Sequence, residues 1–132
     1  MSNDLYVLRV RLGWVKGVWR EIAIRGDQTL HEFHEAIIES LEWLPDETYS
    51  FYMSDDISEL EARYAPDQPN KNTQSTRISS LRLQEEDEFI YIFSEAEQPI
   101  ANVRVMSIED PEPGAEYPDV FDERGESPDQ PY

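Results

Sequence analysis

The chain has 132 residues, 39% of them apolar, with three Trp, seven Tyr and five Phe but no Cys. That suits one domain with a real core, and it excludes disulfides, thiolate metal sites and cysteine nucleophiles. The net charge of −18 disfavours binding to nucleic-acid phosphates or anionic membrane surfaces and favours basic partners or cations.

The charge is uneven. Residues 1–43 carry five Lys/Arg against seven Asp/Glu, whereas residues 44–132 carry six against 22. No apolar run approaches the ~18 residues of a membrane span. The opening Met1-Ser2-Asn3-Asp4 has neither the basic nor the apolar region of a signal peptide. A cytoplasmic protein is expected, without membrane or direct nucleic-acid contact.

Leu5 to Leu12 alternates, with Tyr6, Leu8, Val10 and Leu12 on one side, which predicts a half-buried strand. Gly13 to Gly17 makes a reversal, and Val18 to Ile24 returns as the second strand of a hairpin. Arg25-Gly26-Asp27-Gln28 reads as a turn before a helix. Thr29-Leu30-His31-Glu32 is a capping box, and Leu30, Phe33, His34, Ile37, Ile38 and Leu41 follow as one apolar stripe. The opposite face holds Glu32, Glu35, Glu39 and Glu42, and the helix is expected to end near Glu42, ahead of Pro45.

Tyr49 to Met53 predicts a short aromatic strand. Residues 54–76 lack periodicity and read as a long mobile loop with one helical turn near Ile57–Ala62. Ile78, Leu81 and Leu83 return to the core. Phe89 to Phe93 is almost wholly apolar, as befits a central strand covered on both faces. Ile100 to Ile108 predicts a further strand. Residues 109–132 hold nine Asp/Glu, one Arg and five Pro. They read as an acidic tail, extended or partly disordered, that Tyr117, Val120, Phe121 and Tyr132 could tack down. The expectation is an α+β domain over residues 1–108, in the order β-β-α-β-β-β. A small mixed or antiparallel sheet would carry one amphipathic helix on one face, in a β-grasp-like outline.

Several short motifs fall in a familiar order. They are Trp19-Arg20, Thr29-Leu30 to Phe33-His34 with Ile37, Trp43, Phe51, Arg63-Tyr64, Phe89-x-Tyr91-x-Phe93, and Tyr117-Pro118 to Gly125-Glu126-Ser127-Pro128. Together they resemble the Ri plasmid open-reading-frame-three-like family over roughly residues 5–130, a family also found as insertion-sequence passenger proteins. The resemblance implies a small α+β domain of unestablished biochemical role. It also implies departures. An aspartate-rich segment ending in Trp is replaced by Phe93-Ser94-Glu95-Ala96-Glu97 and Ile100, and two histidine positions hold Ser50 and Asn102. A polar or metal site built from those groups in relatives would be lost here.

Candidate chemistry is sparse. His31 and His34 share a helix with Glu35, which makes these three the best metal-ligand candidates, but the spacing is one residue short of His-Glu-x-x-His and a zinc site wants more ligands. His34 also lies on the apolar stripe, which points to a hydrogen-bonded core histidine. Asp55, Asp56, Glu59 and Glu61 lack the order of a calcium loop and read as solvated charge. No phosphate-binding glycine loop or nucleophile elbow occurs. No catalytic residue and no cofactor is assigned. The expected function is a non-enzymatic interaction module for a protein with a basic surface. Trp14, Asp55, Asp56, Glu59, Tyr117 and Phe121 are the candidate contact residues. The alternative is a divergent small-ligand or metal-binding, enzyme-like domain.

Overall fold

The computed structural model describes residues 4–45, 48–95 and 99–130. The hairpin forms as its alternation dictates: β1 (Leu5–Leu12) and β2 (Trp19–Arg25) pair antiparallel, Leu8 opposite Ile22. Gly13 sits where a Cβ would lie 2.6 Å from the Ile100 carbonyl oxygen, so this turn has no room for a side chain.

Helix α1 (Leu30–Ser40) starts on the capping box. Glu32 N–H donates to Thr29 Oγ1, and Thr29 N–H donates to the Glu32 carboxylate, both at 3.2 Å. The two remaining free amides of the first turn are satisfied from elsewhere: Leu30 N–H donates to the Thr76 carbonyl and His31 N–H to the Thr73 carbonyl. The stretch read as a mobile loop is therefore fastened across the start of the helix, with Thr73 and Ala65 fully buried. Its only helical turn is a 3-10 turn at Leu60–Ala62.

The other strands are β3 (Ser50–Tyr52), β4 (Arg63–Tyr64), β5 (Glu88–Ile92), β6 (Ile100–Glu109) and β7 (Asp119–Arg124). They join one seven-stranded sheet in the order β4-β3-β5-β6-β1-β2-β7. Every pairing is antiparallel, so the mixed alternative does not hold. The expected β-β-α-β-β-β order lacks β4 and β7, the two edges. What remains of the grasp-like outline is its coarser feature, one helix on one face of a sheet. β7 lies inside the acidic segment 109–132 that sequence alone sets apart. Its strand character comes from pairing with β2 rather than from any alternation of its own.

The core lies between α1 and the sheet. Phe33 stacks on Phe51 at 5.8 Å, among Leu8, Ile22, Phe89, Tyr91 and Val103. Each such fully buried side chain contributes about 1.5–3 kcal/mol. β5 is covered on both faces, because Ile90 and Ile92 join Tyr52 in a second cluster behind the sheet.

Arg20 decides how the pieces lock. Its side chain is only 5% exposed. The guanidinium donates to the carbonyls of Ser40, Trp19 and Arg124, at 3.3, 2.9 and 3.1 Å. One cation thus serves the last turn of α1, the start of β2 and the end of β7. Beyond β7 the chain turns at Gly125 (φ +82), where a Cβ would meet the Gly17 carbonyl at 2.5 Å. It then runs along the helix end: Ser127 Oγ donates to the Leu41 carbonyl, Trp43 Nε1–H to the Pro128 carbonyl, and Gln130 makes two bonds to Leu44. Tyr132 lies outside the described residues, as do Ala96 and Glu97.

Candidate functional site

Two regions carry the candidate residues. The first lies beside α1, where His31 and His34, three residues apart, are hydrogen-bonded to different tyrosines. His31 Nδ1 is hydrogen-bonded to Tyr49 Oη at 2.7 Å, and Tyr49 Oη to Thr73 Oγ1 at 2.6 Å. His34 Nδ1 is hydrogen-bonded to Tyr91 Oη at 2.8 Å. The His34 ring lies flat on the Tyr49 ring, centroids 3.5 Å apart. His34, Tyr49, Tyr91 and Thr73 are all buried. A buried polar group costs about 1–3 kcal/mol when unpaired, so this cluster persists because its members satisfy one another. His34 is thus a bonded core histidine, as its place on the stripe indicates.

The cluster reaches the surface at a pocket of about 260 Å³ lined by His31, His34, Glu35, Ile38, Pro45, Tyr49, Pro66 and Gln74. Glu35 stands at its mouth, 3.7 Å from His31 Nε2. Among the described residues no group of three or more His, Cys, Asp or Glu is placed to hold a metal ion. His31 and Glu35 come together here, whereas His34 spends Nδ1 on Tyr91. Tyr49, Tyr91 and Thr73 were missed by sequence reasoning. Sequence marks them only singly, Tyr49 in an aromatic strand and Tyr91 in the Phe89-x-Tyr91-x-Phe93 run, and the three lie far apart along the chain.

The second region is the β7 edge. Asp119 to Arg124 are all exposed, Phe121 by 51% and Val120 by 36%. Hollows of about 480 and 300 Å³ flank Phe121. One is lined also by Glu39, Ser40, Val120, Asp122 and Glu123, the other by Leu5, Val7, Ala23, Ala115 and Tyr117 among others. Tyr117 is held in place, its carbonyl accepting from Gln28 Nε2 at 2.7 Å. Glu39, Glu42, Asp119 and Asp122 make no ion pair among the described residues. The cations gather elsewhere, on the sheet face away from α1. There Arg9 bonds Glu21 at 2.7 Å and lies over the Trp19 ring at 4.1 Å, beside Arg11 and Arg104.

The acidic candidates do not form one surface. Asp55, Asp56 and Glu59 sit in the exposed turn after β3, at the edge of the sheet opposite Tyr117 and Phe121. Asp56 is spoken for: Ser58 donates to it through N–H and Oγ–H at 2.9 and 2.7 Å, and these bonds hold its carboxyl below the ordinary value. Trp14 is 41% exposed but stacks on Trp43, which meets Phe93 edge-on, so it caps the core while showing one face. Ser50 is buried and its Oγ has no hydrogen-bond partner among the described residues.

One amphipathic helix on a seven-stranded antiparallel sheet, with a buried His–Tyr cluster between them, defines a small α+β domain. The chain belongs to the plasmid pRiA4b ORF-3-like family, whose model matches residues 4–130. It is similar in fold to a crystal structure of MM3350, a protein of unknown function from Methanosarcina mazei Go1. The TM-score is 0.79 at 18% identity, over 96% of this chain and 72% of that one. No curated protein matches the chain. Among the described residues, no helix is long and apolar enough to cross a membrane.

Proposed function

We propose that the protein is a non-enzymatic interaction module whose β7 edge, with the outer face of α1, takes an extended basic segment of a protein partner. The partner would add a strand along β7 and set its Lys and Arg side chains against Asp119, Asp122, Glu123 and Glu39. Acidic side chains on an edge strand also serve to keep it from pairing with copies of itself. Phe121 works against that purpose, because it offers a half-exposed ring, next to Val120, on an edge whose other residues are charged. That observation carries the reading, since exposed aromatics beside polar rims are the usual anchors of interfaces.

The experiment is capture of partners from the native host at low and high salt, with Phe121→Ser beside the natural chain. The reading expects a partner held at low salt, released at high salt, and lost in the variant. Removing residues 109–132 would be a poor control, because it strips β7 from β2.

A second reading, a small-ligand or metal-binding domain, draws on one observation: the buried His–Tyr cluster opens onto a pocket rather than closing inside the core. Zinc or iron retained at one equivalent after dialysis would favour its metal form.

A further inference from the structure

The pocket beside α1 has a definite chemical character. Among the described residues its lining contains no Lys and no Arg, and its single carboxylate is Glu35. Among the described residues that carboxylate has no partner but His31 Nε2 at 3.7 Å, beyond hydrogen-bond reach. His31 Nδ1 is hydrogen-bonded to Tyr49 Oη, so Nε2 is the ring nitrogen nearest the Glu35 carboxylate. An anionic ligand would meet that carboxylate with no Lys or Arg in the described lining to offset it, in a chain whose net charge is already −18.

The rest of the lining suits a slender apolar group. Pro45, Pro66 and Ile38 supply its apolar lining, and Tyr49 and His34, stacked ring on ring, its aromatic lining. Aromatic faces attract cations, and proline and isoleucine pack against methylenes. Gln74 adds a polar side chain to the lining. At about 260 Å³ the space is smaller than the roughly 300–1,000 Å³ of drug-sized sites. Tyr49 is bonded to both His31 and Thr73 and cannot swing away without breaking both contacts.

We propose that this pocket binds an ammonium or guanidinium group on a short apolar stem, with Glu35 as its counter-ion and the Tyr49–His34 stack beneath it. This rests on the second, small-ligand reading and is independent of the β7 edge. The cation could be a free amine or the side chain of a lysine or arginine in a peptide, and the recognition chemistry is the same.

The test is a calorimetric and NMR titration of the full chain. Agmatine and spermidine represent free amines, capped lysine and arginine amides represent side chains, and 1-pentanol and glutarate serve as neutral and anionic probes. The expected result is binding by at least one cationic probe, with shifts at His31 and Gln74, and about a tenfold loss on Glu35→Gln. That variant alters an exposed side chain and keeps the fold. Tighter binding of the free amines would assign the site to a small molecule, and tighter binding of the capped residues to a partner's side chain. Cationic probes binding no better than 1-pentanol, or equally well to Glu35→Gln, would overturn the proposal. Glutarate binding in the pocket would overturn the cation assignment while leaving the small-ligand reading standing. No binding by any probe would sink both.

Discussion

The two edges of the sheet are handled differently. β4 is two residues long and partly buried, and it is closed off by structure. Arg63 is ion-paired with Glu95 at 2.8 Å, Lys71 lies over the Tyr64 ring at 5.7 Å, and Ala65 N–H donates to the Lys71 carbonyl. β7 is six residues long, wholly exposed, and guarded only by charge. A covered edge cannot take a further strand, whereas a charged one refuses most strands and accepts one of opposite sign. That asymmetry is the reason the proposed docking is assigned to β7 rather than β4.

The largest way to break the comparison is Arg20→Ala. The change leaves carbonyls of Trp19, Ser40 and Arg124 without their donor. Denaturant unfolding should show a loss of about 2–4 kcal/mol, with hydrogen-exchange protection falling first across β2 and β7. Gly125→Ala comes next. It forces a side chain against the Gly17 carbonyl at positive φ and should cost more than about 1 kcal/mol, with Trp43 fluorescence reporting release of residues 127–130. At the other edge, Arg63→Ala removes a partly exposed ion pair worth about 0.2–1 kcal/mol and should leave basic-peptide binding unchanged. Ser50→Ala removes a buried hydroxyl with no partner and should be neutral or stabilising by up to about 1 kcal/mol. Phe121→Ser should move stability by less than about 0.5 kcal/mol while abolishing partner capture.

Alkaline titration tests the sheet in another way. Burial, with Asp4 nearby, raises the Tyr6 phenol, and burial, with Glu95 nearby, raises that of Tyr52. The folded state therefore holds these protons after the unfolded state has released them. The stability they add is full below about pH 10 and is lost as pH rises through their raised values. Tyr52→Phe should flatten that loss in a pH series of unfolding curves.

Local rules made much of this molecule legible. The hairpin, the capping box at Thr29 and the stripe from Leu30 to Leu41 follow from alternation and periodicity. The covered strand at β5 follows from its unbroken apolar run. β7 was hidden because Asp119-Val120-Phe121-Asp122-Glu123-Arg124 reads as charge, and only β2 and the reach of Arg20 make it a strand. The fastening of residues 65–76 was equally hidden, since it depends on carbonyls meeting the first amides of α1, and carbonyls leave no mark in a sequence. Of the site, His31, His34, Glu35 and Phe121 could be named in advance. Tyr49, Tyr91 and Thr73 could not, because their meeting is a property of the packed core.

The most direct measurement is an amide NMR titration with an extended Lys/Arg-rich peptide at low and then high salt. The account predicts shifts along Asp119–Arg124 and the outer face of α1 at low salt, reversed by high salt and absent in Phe121→Ser. Shifts centred on Arg63–Tyr64, or binding indifferent to salt and to Phe121, would contradict it.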